Sequence, residues 1–166
     1  MVKNVFKKLG KKQKNNKGFS LVELIVVIAI MAVLVGVLAP QLIKYVEKSR
    51  EATDIQNCDS IATALKTYYS DKEDVTADVT VHVTSDGVKE STEPAVTNAG
   101  LENTKLKGTG WTSKVDNKSA ITITYKHDTG KIEYTATSTY YSANGNDQIK
   151  STKNAAAAGG EDQGDN

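Results

Sequence analysis

Few residues of this 166-residue chain are of a type and spacing that could do chemistry. Cys58 is its single cysteine, and His82 and His127 are its two histidines. The histidines fall in or beside expected strands without an acid and cysteine set at ligand spacing, so neither catalysis nor a metal site is expected of them. Cys58 cannot form an intramolecular disulfide, and it shares an apolar helix face with Ile55 and Leu65, where a small buried hydrophobe is the favoured reading. Tyr68, Tyr69, Tyr134, Tyr140 and Tyr141 read as core and strand residues. Nothing resembles a nucleophile with its base, a Gly-rich phosphate loop or a cofactor motif, so no enzyme and no cofactor is expected. What remains is an acid in an unlikely place. Between Phe19 and Ala39 only Ser20 and Glu23 are polar, and a carboxylate inside such a run must have its cost offset by something.

The element that positions Glu23 is a long helix. At about 1.5 Å per residue, residues 19–39 cross a hydrocarbon core of roughly 30 Å. Seven lysines and no acid precede them in residues 1–18, which leaves 14 basic against 20 acidic residues, net −6, in the rest of the chain. The positive-inside rule holds such a lysine cluster in the cytoplasm and sends the remainder outward. An acidic body with Arg50 as its one arginine gives no sign of nucleic-acid binding. A cleaved secretory signal fits poorly, because the apolar run exceeds the usual h-region of about 7–15 residues and Pro40 would follow the cut.

Beyond Pro40 the pattern becomes amphipathic. Ile55, Cys58, Ile61 or Ala62, Leu65 and Tyr68 or Tyr69 recur at spacings of three and four, which predicts one helix from Phe19 to about Ser70. Pro40 lacks an amide donor and collides with the carbonyl of Gly36, itself a poor helix former, so Gly36 to Pro40 is the expected weak point, either a mild kink or a hinge. After Asp74 the period drops to two. Val79, Val81 and Val83 alternate with polar residues, Ser85 to Gly87 read as a turn, and Ile121, Ile123, Tyr125 then Ile132, Tyr134, Ala136 read as a hairpin. Residues 89–118 suggest a loop with a short element at most, and the tail 154–166 offers nothing to bury. The expected divisions are a leader (1–18), an apolar helix (19–39), its amphipathic continuation (40–74), a β-rich body (75–153) and a disordered tail.

The junction Lys17-Gly18-Phe19-Ser20-Leu21-Val22-Glu23-Leu24 resembles the class III signal of type IV prepilins and pseudopilins. The basic leader ending in Gly18, the aromatic Phe19, Glu23 as the fifth residue after that point and the apolar run reaching Pro40 are each weak alone and specific together. The resemblance implies an α+β, pilin-like fold, with a long N-terminal transmembrane-to-amphipathic helix packed on a small antiparallel sheet. It also implies a prepilin peptidase that cuts between Gly18 and Phe19 and methylates the Phe19 amine. Assembly would be with copies of itself and related pilins on a membrane assembly platform, and Glu23 would pair with the Phe19 amine of a neighbour. From the residues alone, Ser20 and Glu23 also read as a capping box. A major or minor pilin, a pseudopilin of a secretion or DNA-uptake machine, and an uncleaved single-pass exterior binding domain stay open at this point.

Overall fold

A computed structural model describes residues 18–72 and 74–152. The expectations for the leader before Gly18 and for the tail from Asn154 lie outside these residues. The first element, α1, is a helix over Leu21–Tyr69 that includes Pro40. Its start is favoured by Ser20 and Glu23, and its interior holds no Gly or Pro other than Gly36 and Pro40. At its end Ser70 N donates to Lys66 O at 2.9 Å, and Lys72 Nζ lies 3.7 Å from the centre of the Tyr68 ring, a cation near the carbonyl end of the helix.

The chain divides into two compact units, one ending at Gln41 and one beginning at Leu42. In the first, every large apolar side chain from Leu21 to Leu38 is at least 43% exposed. The helix reaches a mean hydropathy of 3.1 over 18 residues, enough in length and composition to cross a membrane.

In the second unit α1 buries Glu51, Asp54, Cys58, Ile61, Ala62 and Leu65, spaced by three and four along one face. That face packs on a six-stranded antiparallel sheet formed by β1 (Val79–Thr84), β2 (Lys114–Val115), β3 (Lys118–Tyr125), β4 (Ile132–Thr137), β5 (Tyr141–Asn146) and β6 (Lys150–Ser151). The strand order is β1-β3-β4-β5-β6, with β2 paired to β3 beside that path. Register follows the period of two: Val81 lies opposite Ile123, which lies opposite Tyr134, while Ala136 faces Ala143. These residues are buried against Cys58, Ile61 and Leu65. Each fully buried Leu or Ile contributes roughly 1.5–3 kcal/mol. The alternate positions Thr80, Thr122, Thr124, Thr135 and Thr137 form the outer face, where Thr80 and Thr124 hydroxyls are 3.2 Å apart.

The expected first strand, the expected hairpin and the α+β class are all found, and besides the two-residue strand β6 three elements go beyond them. A short helix α2 (Pro94–Asn98) opens on Pro94 at a first-turn position, where a missing amide costs nothing. The β2–β3 hairpin turns on Asp116 and Asn117, both at positive φ (50° and 64°), as a two-residue primed turn requires. Strand β5 was hidden because Asn144-Gly145-Asn146 carries loop-forming residues. Gly145, at φ 66°, is the extra residue of a bulge against Tyr134 and Thr135.

Candidate assembly site

At the start of α1 the capping box is closed. Ser20 N donates to Glu23 Oε2 at 2.8 Å, Val22 N donates to Ser20 Oγ at 3.3 Å, and Leu24 N makes the first helical bond to Ser20 O at 3.2 Å. Glu23 thereby serves an amide that the helix cannot serve itself. It lies on the surface, as do Gly18 and Phe19, the latter 89% exposed. A Cβ built on Gly18 would meet nothing within 4 Å among the described residues. Gly36 is equally open, and α1 continues through Pro40. The sequence-derived residues fall into two places: Gly18, Phe19 and Glu23 together around the helix start, and Gly36 with Pro40 more than a turn apart further along.

The second unit holds a group of acids that sequence reading missed. Glu47, Glu51 and Asp54 stand at i, i+4 and i+7 on α1, continuing toward the N-terminus the face that carries Cys58 and Leu65. Against them lies the loop Lys107-Gly108-Thr109-Gly110-Trp111. Asp54 accepts from Lys107 N (2.8 Å), Gly108 N (2.7 Å) and Trp111 Nε1 (2.9 Å). Glu47 Oε1 accepts from Thr109 N, from Thr109 Oγ1 at 3.0 Å and from Gly110 N at 3.0 Å. Glu51 is fully buried. Its Oε2 accepts from Ser138 Oγ at 2.6 Å, and its Oε1 has no partner among the described residues. The two glycines are required by contact: a Cβ on Gly108 would come within 2.7 Å of Glu51 Cγ, and one on Gly110 within 2.1 Å of Glu51 Oε1. Burial pushes the Glu51 carboxyl above its ordinary range, opposed by the Ser138 bond and reinforced by the charges of Glu47 and Asp54. Partial burial works against the Glu47 charge, but the bonds from Thr109 and Gly110, with Arg50 nearby, hold its carboxyl below that range. The sequence signal was available, since three acids at helical spacing lie on a face that then turns apolar. It named no partner, because the loop is more than 50 residues away.

Each histidine lies beside one carboxylate, with no cysteine in reach: His82 Nδ1 lies 2.8 Å from Glu90 Oε1 and His127 Nδ1 lies 2.9 Å from Asp78 Oδ1. Both partners are brought in by chain reversal or strand pairing, which spacing along the chain does not show. Asp78, His127 and Asp128 bring potential ligand atoms within 4.8 Å of one another at the surface. Lys126 Nζ already lies 2.8 Å from Asp78 Oδ2, and its bond, with those from His127, holds the Asp78 carboxyl well below the usual range. A lysine ammonium thus sits where a cation would bind. Cys58 is buried as expected, and burial pushes its thiol far up, which makes it inert rather than nucleophilic.

Residues 13–39 match the family model described as the prokaryotic N-terminal methylation motif. Over 58 residues the chain is 34% identical to the type IV major pilin protein PilA of Myxococcus xanthus (strain DK1622), a stretch covering 35% of this chain and 26% of that protein. The chain thus matches about a quarter of the length of that relative, and the shared part is too short to include its whole body. No solved structure matches the chain. The methylation motif and the apolar α1 agree with the likeness of this chain, over 58 residues, to a type IV major pilin.

Proposed function

We propose that the chain is the precursor of a structural subunit, cut between Gly18 and Phe19 by a prepilin peptidase, methylated at Phe19, and assembled through α1 into a type IV pilus-like filament. The leader faces the cytoplasm and the body the exterior until assembly, when copies of the chain and related pilins add through a membrane platform. The observation that carries this reading is the uncovered apolar run from Leu21 to Leu38 within the matched motif. Leaving such a run in water forgoes roughly 1.5–3 kcal/mol per large side chain, which over the run exceeds the roughly 5–15 kcal/mol that holds a whole domain folded. Lipid before assembly, and neighbouring subunits after it, supply the missing cover.

Glu23 then has two successive partners. In the precursor it caps α1 through Ser20 N. After cleavage it meets the Phe19 amine of a neighbour. Two unit charges about 4 Å apart attract by about 4 kcal/mol at an effective dielectric near 20, before their desolvation is set against it. The apolar faces supply bulk attraction, and the charge pair selects the register.

Protein sheared from the cell surface tests this by intact mass and N-terminal sequencing. The expected chain begins at methylated Phe19, and Gly18→Val leaves an uncut precursor in the membrane. Surface protein that retains residues 1–18 would instead be an anchored exterior domain. A mature Phe19 chain confined to the cell envelope would be a pseudopilin, and a start at Pro40 would remove the pilin reading.

A further inference from the structure

Glu51 is the most deeply placed acid of the described residues that has an oxygen without a partner. It is wholly buried, Oε1 lies against the backbone of Gly110, and no cation among the described residues pairs with it. From α1 its charged neighbours are Glu47 and Asp54, both carboxylates. From the loop it meets Gly108 and Gly110, and from the turn after β4 it meets Ser138, all uncharged. Arg50 is directed to Glu47, 3.9 Å away, and is 54% exposed. A metal ion does not answer the deficit, because the three carboxylates do not converge within ligand distance of one another, and the loop amides already occupy both oxygens of Asp54. A proton does answer it. A neutral carboxyl removes the repulsion from Glu47 and Asp54 and leaves a group that can lie dry against a glycine.

We propose that Glu51 carries a proton when the loop 107–111 is docked on α1, and that its ionisation releases this loop, making the Glu47–Glu51–Asp54 row a proton-operated latch. The remaining contacts explain why one proton is enough. Toward α1 the loop is held by amides, the Thr109 hydroxyl and one indole N–H donated to Glu47 and Asp54, while Trp111 O accepts from Ser119 Oγ of β3 at 2.7 Å, and a third negative charge between the two acids would have to be hydrated. Water reaches Oε1 only if Gly108 and Gly110 move away, and that movement breaks the bonds of Thr109, Gly110 and Trp111 together. The sheet keeps its own ladders throughout, so the release is local.

The direction with pH follows from the two acids. Glu51 is raised in the folded chain, so its contribution is complete below the ordinary glutamate value of 4.5 and is lost as pH rises through the raised value. Glu47 is lowered, so its contribution is present above 4.5 and lost as pH falls through the lowered value. The loop is therefore held most firmly between the two, and its release as pH rises belongs to Glu51.

Trp111 is the only tryptophan of the chain and is 2% exposed in the docked loop, so its emission reports the latch directly. The full chain in detergent micelles is titrated from acid to mildly alkaline pH, with far-ultraviolet circular dichroism followed in parallel. A reversible red shift of Trp111 emission is expected as pH rises, with the secondary structure unchanged. Amide exchange at Gly108, Thr109 and Gly110 should rise at least about tenfold beyond the intrinsic effect of pH, while Ile121 and Ile123 stay protected. Glu51→Gln, neutral at every pH, should keep the blue emission across the range. A flat wild-type titration overturns the proposal, as does the same transition in Glu51→Gln. Should that variant not accumulate, the wild-type titration and the exchange pattern decide alone, and loss of protection across the hairpin together with the loop would mean global unfolding and not a latch.

Discussion

Glu23 and Glu51 are both glutamates on α1, and they sit in opposite situations. Glu23 is exposed, caps its own helix, and lies in a segment whose apolar surface is left exposed by the described residues. Glu51 is sealed, with its surroundings supplied by this same chain from residues more than 50 positions away. For one we propose a partner on a neighbouring subunit, and the other has been given almost everything except one hydrogen bond. A carboxylate on an apolar helix face is thus not itself a sign of assembly. Whether the chain can answer it internally is what separates an intersubunit contact from a piece of the fold.

The largest effect expected from this contrast comes from Glu23→Gln. Glutamine can still accept from Ser20 N, so the cap survives, but no charge is left for the Phe19 amine. The variant should insert and be cleaved, since a neutral amide enters lipid more readily than a carboxylate. Loss of even half of the roughly 4 kcal/mol attraction would lower filament yield more than about tenfold. Normal filaments at wild-type subunit levels would reduce Glu23 to a cap and leave the proposed pilin-like role standing.

The corresponding change in the body is Gly110→Ala. Its Cβ would fall 2.1 Å from Glu51 Oε1 and 3.8 Å from Glu47 Oε1. Since Glu51 is wedged between loop and helix, the loop has to shift, at a cost of about 1–3 kcal/mol typical of overpacking. Denaturant unfolding of the full chain in micelles measures the loss, and Trp111 emission should be shifted to the red even at the pH of greatest stability. Unchanged stability would show that the loop yields freely, which would weaken the contrast with the open helix start.

These two glutamates also mark what could be read in advance. Glu23, Gly18 and Phe19 were legible because their setting is local: a cap, a lysine leader and an apolar run are all statements about neighbours in sequence. The same holds for β1 and the β3–β4 hairpin, whose alternation is unbroken. Glu51 was not legible, since its meaning depends on a loop and a serine brought in by tertiary packing. The carboxylates beside His82 and His127 were missed for the same reason. Strand β5 was lost to a bulge at Gly145 that makes a strand carry loop residues.

Asp54→Asn should have an intermediate effect. Asp54 offers Oδ1 to Lys107 N and Oδ2 to both Gly108 N and Trp111 Nε1. An asparagine has one carbonyl oxygen, and its amide group would point donors at donors on the other side. Leaving one or two of those buried N–H groups unpaired costs about 1–3 kcal/mol each. The expected readouts are a lower unfolding midpoint and faster exchange at Lys107 or Gly108, with cleavage at Gly18 and insertion unaffected. An effect on assembly equal to that of Glu23→Gln would mean that the two regions are not separable in the way their contacts suggest.

The smallest effect is expected of Glu47→Gln, and its value lies in its pH dependence. A glutamine oxygen can still accept from Thr109 N, Thr109 Oγ1 and Gly110 N, so the loop geometry is kept. What is lost is the charge assistance of those bonds, about 1 kcal/mol at neutral pH. Because the Glu47 carboxyl is lowered in the folded chain, wild-type protein loses this contribution as pH falls through that lowered value, whereas the variant has nothing there to lose. Its stability should therefore approach that of the wild type in acid. At the other end of the range, removing the Glu47 charge takes away one of the two repulsions that raise Glu51. Glu51 then ionises more easily, and the red shift of Trp111 should begin at lower pH than in the wild type. A shift of that transition toward higher pH, or none at all, would show that the row 47–51–54 does not act as one electrostatic unit, and would separate Glu51 from its neighbours.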